Sequence, residues 1–160
     1  MKTSRTAYRL IKTLSDWVDN RWVVTMDKRR RSQLLARDKN YKRIFRYLKE
    51  SDYLYSLGND RFQIADEVKI NLLKDLINMR KPDGKFRIIM FDIPEKLKMN
   101  RNFFRKHLVD LGFKMQQKSV WISNLPCEDL VGLVVKYHGL TKYVDLFVGD
   151  SVPIRSAVAF

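Results

Sequence analysis

Along the first half of the chain, apolar residues recur at helical spacing and then give way to short alternating runs. Tyr8, Ile11, Leu14 and Val18 share a face and predict a helix over residues 4–19. Trp22, Val23 and Val24 form an apolar patch whose pattern selects neither helix nor strand. Residues 28–37 are basic and read as helix. Over 40–51, Ile44 and Leu48, helped by Tyr41 and Phe45, line one face, and Lys42, Arg43, Arg46 and Lys49 line the other. Asn40 is expected to cap this helix. Two β-like runs, 53–57 and 61–64, flank Gly58-Asn59-Asp60 and predict a hairpin. Asp66 is expected to cap a final helix in which Ile70, Leu73, Leu76 and Ile77 share a face.

After a Pro82-Asp83-Gly84 turn, the pattern becomes strand, helix, strand, helix, strand. Residues 86–93 are apolar on both faces apart from Arg87 and Asp92, which predicts a central strand. Residues 98–111 predict a helix stopped by a left-handed Gly112. Residues 115–123 read as extended, in one strand or two. A helix is expected from Asn124 and Pro126 to His138, stopped by Gly139. Val144, Leu146 and Val148 alternate with Tyr143, Asp145 and Phe147 and predict the last strand. The apolar tail, 151–160, is expected to cover a sheet edge, including that of a partner subunit. The resulting fold class is α+β. A winged helix-turn-helix over 1–82 precedes a ferredoxin-like βαββαβ domain over 83–160.

Composition changes this picture through charge. The 160 residues carry a formal net charge of +14, and residues 1–85 hold 21 Lys/Arg against 11 Asp/Glu. Such an excess calls for an anionic partner. No run of eighteen apolar residues is present, so no membrane span or membrane partner is expected, and no secretory leader is visible. The single cysteine, Cys127, excludes an intramolecular disulfide and a Cys-based zinc site, and only His107 and His138 are available as histidine ligands. A cytoplasmic, nucleoid-associated protein is expected.

The charge is concentrated. Lys28, Arg29, Arg30, Arg31, Arg37, Lys39, Lys42, Arg43, Arg46 and Lys49 lie within 22 residues that contain one acid, Asp38. Two basic helices followed by a hairpin place the second helix to enter a major groove of double-stranded DNA. Arg43 and Arg46 are the candidates for guanine contacts. Arg29, Arg30, Arg31, Lys39, Lys42 and Lys49 are the candidates for phosphate contacts, and Asn59 and Arg61 are expected at the hairpin tip. The alternative is a solvated helical face. No cofactor is required for such binding.

The chemistry-bearing residue of the second half is Asp92, at the end of the central strand. One carboxylate is a poor Mg²⁺ site, though a two-fold dimer would supply a second copy. The alternative is that Asp92 caps the following turn through bonds to local N–H groups. No Ser/His/Asp arrangement, Gly-rich phosphate loop or paired-carboxylate motif is present.

Phe91-Asp92-Ile93, Arg105, Gly112, Gln117 and Ser119-Val120 resemble the CRISPR-associated Cas-two family. That resemblance implies a ferredoxin-like fold, dimers, a CRISPR integrase as partner and, for members described as nucleases, a metal at the position of Asp92. A longer string is similar to the middle domain of the phenylacetate-degradation repressor (PaaX) family. It comprises Gly84 to Arg87, Phe91-Asp92-Ile93-Pro94-Glu95, Gln117-Lys118-Ser119-Val120-Trp121, Pro126-Cys127-Glu128 and Gly139-Leu140. In that family a winged-helix domain comes first. The expectation is therefore a homodimeric DNA-binding transcriptional regulator. The competing reading is a Cas-two-type adaptation factor or Mg²⁺-dependent endonuclease using Asp92. An RNA-binding sheet ranks below both, because the paired aromatics that stack bases are missing from the central strands.

Overall fold

The computed structural model describes residues 5–19 and 21–151. The chain forms two compact units, the first ending at Leu72 and the second starting at Leu73.

The first unit contains α1 (Arg5–Ser15), β1 (Val23–Thr25), α2 (Lys28–Arg37), α3 (Tyr41–Glu50), β2 (Leu54–Gly58), β3 (Arg61–Ile64) and α4 (Asp66–Asn71). Its strands form an antiparallel sheet in the order β1-β3-β2. The apolar patch at Trp22 thus resolves as a strand edge, with Val23 opposite Gln63 and Val24 opposite Phe62. Ile11, Leu14, Val24, Leu48, Ile64 and Val68 are buried together in the core that this periodicity implies.

Three local expectations change. Asn40 precedes α3, but its side chain makes no cap bond. Instead the Asp38 carboxylate accepts from the Asn40 N–H at 2.7 Å. The side-chain cap belongs to α2, where Asp27 accepts from the Arg30 N–H at 2.8 Å. Asp66 is the first residue of α4 rather than its cap, and it pairs with the Lys69 ammonium at 2.6 Å. The single helix expected after it is broken at Leu72, so Leu73 begins a separate helix in the second unit.

The second unit comprises α5 (Leu73–Asn78), β4 (Phe86–Phe91), a 3₁₀ turn (Glu95–Leu97), α6 (Lys98–Asp110), β5 (Lys114–Gln117), β6 (Val120–Ser123), α7 (Glu128–Tyr137) and β7 (Val144–Gly149). From β4 onward this is the expected βαββαβ order. The antiparallel sheet runs β5-β6-β4-β7, with β4 central. Gly112, at φ +78°, ends α6, and a left-handed Gly139 follows α7.

The sheet has one packed face. Ile89, Phe91 and Trp121 are buried with Phe104, Leu108, Leu130 and Val134 of the helices. Phe91 meets Phe104 edge to face at 5.4 Å between ring centres. The other face of β4, expected to be covered, is open. Ile88 and Met90 are 36% and 46% exposed, and Ile88 sits between Ile122 on β6 and Phe147 on β7. The apolar tail beyond Ser151 lies outside the described residues.

A buried charge closes the start of this sheet. Arg87 is 2% exposed. Its guanidinium donates to both Asp83 oxygens and, through Nε and Nη2, to Glu128 Oε1 at 3.1 and 2.7 Å. Those bonds hold the Asp83 carboxyl well below the usual carboxylate range and raise the guanidinium further. Arg80 makes a parallel two-pronged pair with Asp129, and its Nη1 also donates to the Pro126 carbonyl. The Pro82-Asp83-Gly84 turn is therefore bolted to the start of α7.

Candidate nucleic-acid interface

Helix α3 is amphipathic because apolar residues recur every three or four positions. Tyr41, Ile44 and Leu48 are buried, and Lys42, Arg43, Arg46 and Lys49 are exposed. The side chains of Lys42, Arg43 and Arg46 have no ion pair or hydrogen bond among the described residues. Lys49 lies over the Phe62 ring, 5.8 Å from its centre. Three to four unneutralised cations thus line a ten-residue helix about 15 Å long.

The neighbouring basic residues divide into two groups. The side chains of Arg29 and Lys39 are exposed and have no ion pair or hydrogen bond among the described residues. Arg30 and Arg31 are engaged internally. Arg30 donates to the Thr25 carbonyl at 2.7 Å and lies 5.6 Å from the Trp17 ring centre. Arg31 donates to the Met26 carbonyl at 2.9 Å and pairs with Asp60. Their first role is to tie the start of α2 to the sheet and the hairpin tip, which residue type alone did not reveal.

The tip itself is unusual. Gly58, Asn59 and Asp60 all lie in the left-handed region, at φ +78°, +50° and +56°. Asn and Asp tolerate that region better than most side chains, and Gly enters it freely. A bulge between Ser56 and Gly58 accompanies the turn. The Asp60 carbonyl accepts from the Met26 N–H at 2.8 Å, so the tip is anchored beside α2. Asn59 and Arg61 are exposed there, with Arg61 opposite Thr25 in the sheet.

In the second unit, Asp92 is exposed just after β4. Its backbone N–H donates to the Tyr143 carbonyl at 3.0 Å. Among the described residues, no hydrogen bond or ion pair engages its carboxylate, so the local turn cap is not observed. The fold brings a second acid to it. Asp92 and Asp145 line one surface cavity of about 400 Å³, together with Ser119, Lys142 and Tyr143. Asp145 lies opposite Met90 in the β4–β7 register, a pairing between positions 55 residues apart that no local motif announces. No cluster of three or more His, Cys, Asp or Glu suited to a metal occurs among the described residues. Burial pushes the Cys127 thiol up to about 12, which leaves it protonated and unreactive near neutrality. No helix among the described residues is long and apolar enough to cross a membrane.

A basic unit of helices and a three-stranded sheet, followed by an antiparallel βαββαβ unit with one free acid at the central strand, defines an α+β protein of the Cas2-like class. Residues 79–159 match the family described as the PaaX protein central Cas2-like domain, and the chain belongs to that family. No curated protein and no solved structure matches the chain.

Proposed function

We propose that the chain is a regulator that binds double-stranded DNA as a homodimer. Family membership supports the coarser part, a regulator-type protein. The observation that carries the finer part is the exposed stripe of Lys42, Arg43 and Arg46 on α3, free of acidic partners. The unit containing it runs helix, strand, helix, helix and hairpin, the order of a winged helix-turn-helix. In this reading α3 enters the major groove, Arg43 and Arg46 reach base edges, and Arg29, Lys39, Lys42 and Lys49 contact phosphates. Asn59 and Arg61 flank the groove from the hairpin tip. Two such heads are joined through the Cas2-like unit. The apolar face around Ile88, Met90, Ile122 and Phe147 supports that joining, since an open sheet face of this composition favours a second apolar surface.

Fluorescence anisotropy with a labelled duplex library tests the reading. Arg43→Ala/Arg46→Ala should weaken binding by at least tenfold and flatten its salt dependence. Unchanged affinity and slope would dismiss α3 as the interface. Sedimentation of Ile88→Glu/Phe147→Glu, expected to be monomeric, tests the dimer.

A second reading rests on the free Asp92 and Asp145 carboxylates at one cavity. Two carboxylates with water and phosphate suit Mg²⁺, so these residues fit a phosphodiesterase or an adaptation factor whose metal sites sit in a homodimer. Lys142 lines the same cavity and opposes a cation there. Equal Mg²⁺-dependent cleavage by wild type and Asp92→Asn would remove this reading, and failure to co-purify with a CRISPR integrase would remove the adaptation role.

A further inference from the structure

A cavity of about 610 Å³ on the second unit has no lining residue in common with the Asp92 cavity. Four cations line it, Arg101, Arg105, Lys106 and Lys118, and no carboxylate does. Val109, Met115 and Trp121 supply its apolar wall. The two arginines are held in place. Arg105 donates from Nη2 to the Lys118 carbonyl at 2.9 Å and lies over the Phe91 ring. Arg101 donates to the Ile93 carbonyl at 3.1 Å and to Glu95 at 2.8 Å. Lys106 and Lys118 are exposed and have no ion-pair partner among the described residues.

A second observation is independent of charge. Trp121 is 5% exposed, and its Nε1–H has no hydrogen-bond partner. The Nε–H of Arg105 and that of Arg101 are also buried and unpartnered. Buried donors without acceptors are rare in folded proteins and disfavour the state that leaves them so. Three of them on side chains lining one cation-rich cavity call for a ligand made of acceptor oxygens. A carboxylate offers two such oxygens and one charge. A phosphate group offers more acceptors and more charge, and guanidinium and ammonium groups both favour it.

We propose that this cavity is a binding site for a phosphate group, with Arg105, Lys106 and Lys118 supplying charge and the unpartnered Trp121 Nε1–H a further donor. Arg101 contributes less, because Glu95 already neutralises it. The phosphate could come from a free phosphorylated compound or from a nucleic-acid backbone, and either satisfies the same donors. The site does not depend on α3 being a DNA interface.

Titration calorimetry of the full chain with inorganic pyrophosphate at low ionic strength tests the proposal. Wild type should bind saturably, and Lys106→Gln/Lys118→Gln should lose at least tenfold in affinity. Both lysines are exposed, so the fold should survive their replacement. Arg43→Ala/Arg46→Ala should bind pyrophosphate like wild type. Trp121→Phe keeps an aromatic ring and removes the donor. Its melting temperature without ligand should fall modestly through the lost packing volume, and the pyrophosphate-induced rise should shrink. An absence of saturable binding by wild type would overturn the site, as would equal binding by the lysine double variant. A loss in Arg43→Ala/Arg46→Ala as large as in the lysine variant would overturn it too. Duplex titration of Lys106→Gln/Lys118→Gln then identifies the source: weakened binding assigns the site to backbone phosphate, and unchanged binding assigns it to a free phosphorylated compound.

Discussion

Arg43 and Arg46 on α3, and Arg80 and Arg87 beside the Pro82-Asp83-Gly84 turn, are the same residue type put to opposite uses. The first pair faces solvent with no acid to neutralise it. The second pair is consumed, with Arg87 joined to Asp83 and Glu128 and Arg80 to Asp129. A formal charge of +14 therefore misstates where the outward field lies. The field is concentrated on α3 and its flanks, and on the cavity lined by Arg105, Lys106 and Lys118. Part of the second unit's positive charge is structural and invisible to a partner. A basic residue becomes a binding candidate only after its own acids have been found.

The largest effect should come from breaking the consumed pair. Arg87→Leu removes the buried cation that joins Asp83 and Glu128 and leaves those half-exposed carboxylates without it, so a whole hydrogen-bonded network is lost, which is destabilising. The melting temperature of the second unit should fall by more than about 10 °C in calorimetry. Arg87→Lys should recover only part of this loss, because one ammonium cannot reproduce the forked bonds to two carboxylates.

Arg43→Ala/Arg46→Ala should do the reverse. Melting should stay within about 1 °C of wild type, as expected for surface positions, while each lost base contact weakens duplex binding by about 1–3 kcal/mol. Stability loss as large as that of Arg87→Leu would erase the distinction between the two pairs.

Acid should separate the two regions next. Burial lowers the affinity of His107 for a proton, opposed by Asp110 and aided slightly by Lys106, and burial with the neighbouring His107 does the same for His138. Groups lowered in this way stabilise the fold fully above their unfolded value near 6.5, and that stability is lost as pH falls below it. The urea midpoint of the second unit should therefore drop between pH 7.5 and 5.5. His107→Gln/His138→Gln should shrink that drop. Asp83, held low chiefly by its bonds to Arg87, adds a second loss that starts only as pH falls below the ordinary aspartate value of 3.8. An identical midpoint at pH 7.5 and 5.5 would contradict the histidine assignment.

The smallest contrast lies within α2. Arg30→Ala removes the bond to the Thr25 carbonyl and the stacking on Trp17, so melting should fall by a few degrees, on the order of 1 kcal/mol. Arg29→Ala, exposed and unpartnered, should leave melting unchanged.

Local pattern carried much of the architecture. The amphipathic stripe of α3, the Gly58-Asn59-Asp60 turn, the Gly112 stop and the alternation in β7 each follow from a few adjacent residues. Features set by distant partners were not legible in this way. The strand at Val23–Thr25 is three residues long and exists because β3, nearly forty positions later, completes its ladder. The break at Leu72 interrupts a continuous helical pattern. Arg87 read as an exception in an apolar strand until Glu128, 41 residues away, came to it. Asp145 reaches the Asp92 cavity only because β7 returns beside β4. In the candidate interface, helix position and exposure were readable from spacing, whereas the internal engagement of Arg30 and Arg31 required knowing where Thr25, Met26 and Asp60 lie.

The freedom of the Asp92 carboxylate has an evolutionary consequence. Its main chain is fastened to Tyr143, but its side chain supports nothing local, so replacing it with Asn or Ser should cost the fold little. Drift at this position is therefore unconstrained by stability. A lineage that keeps an acid there records selection for what the acid does, and a lineage that discards it has retired that chemistry while retaining the scaffold.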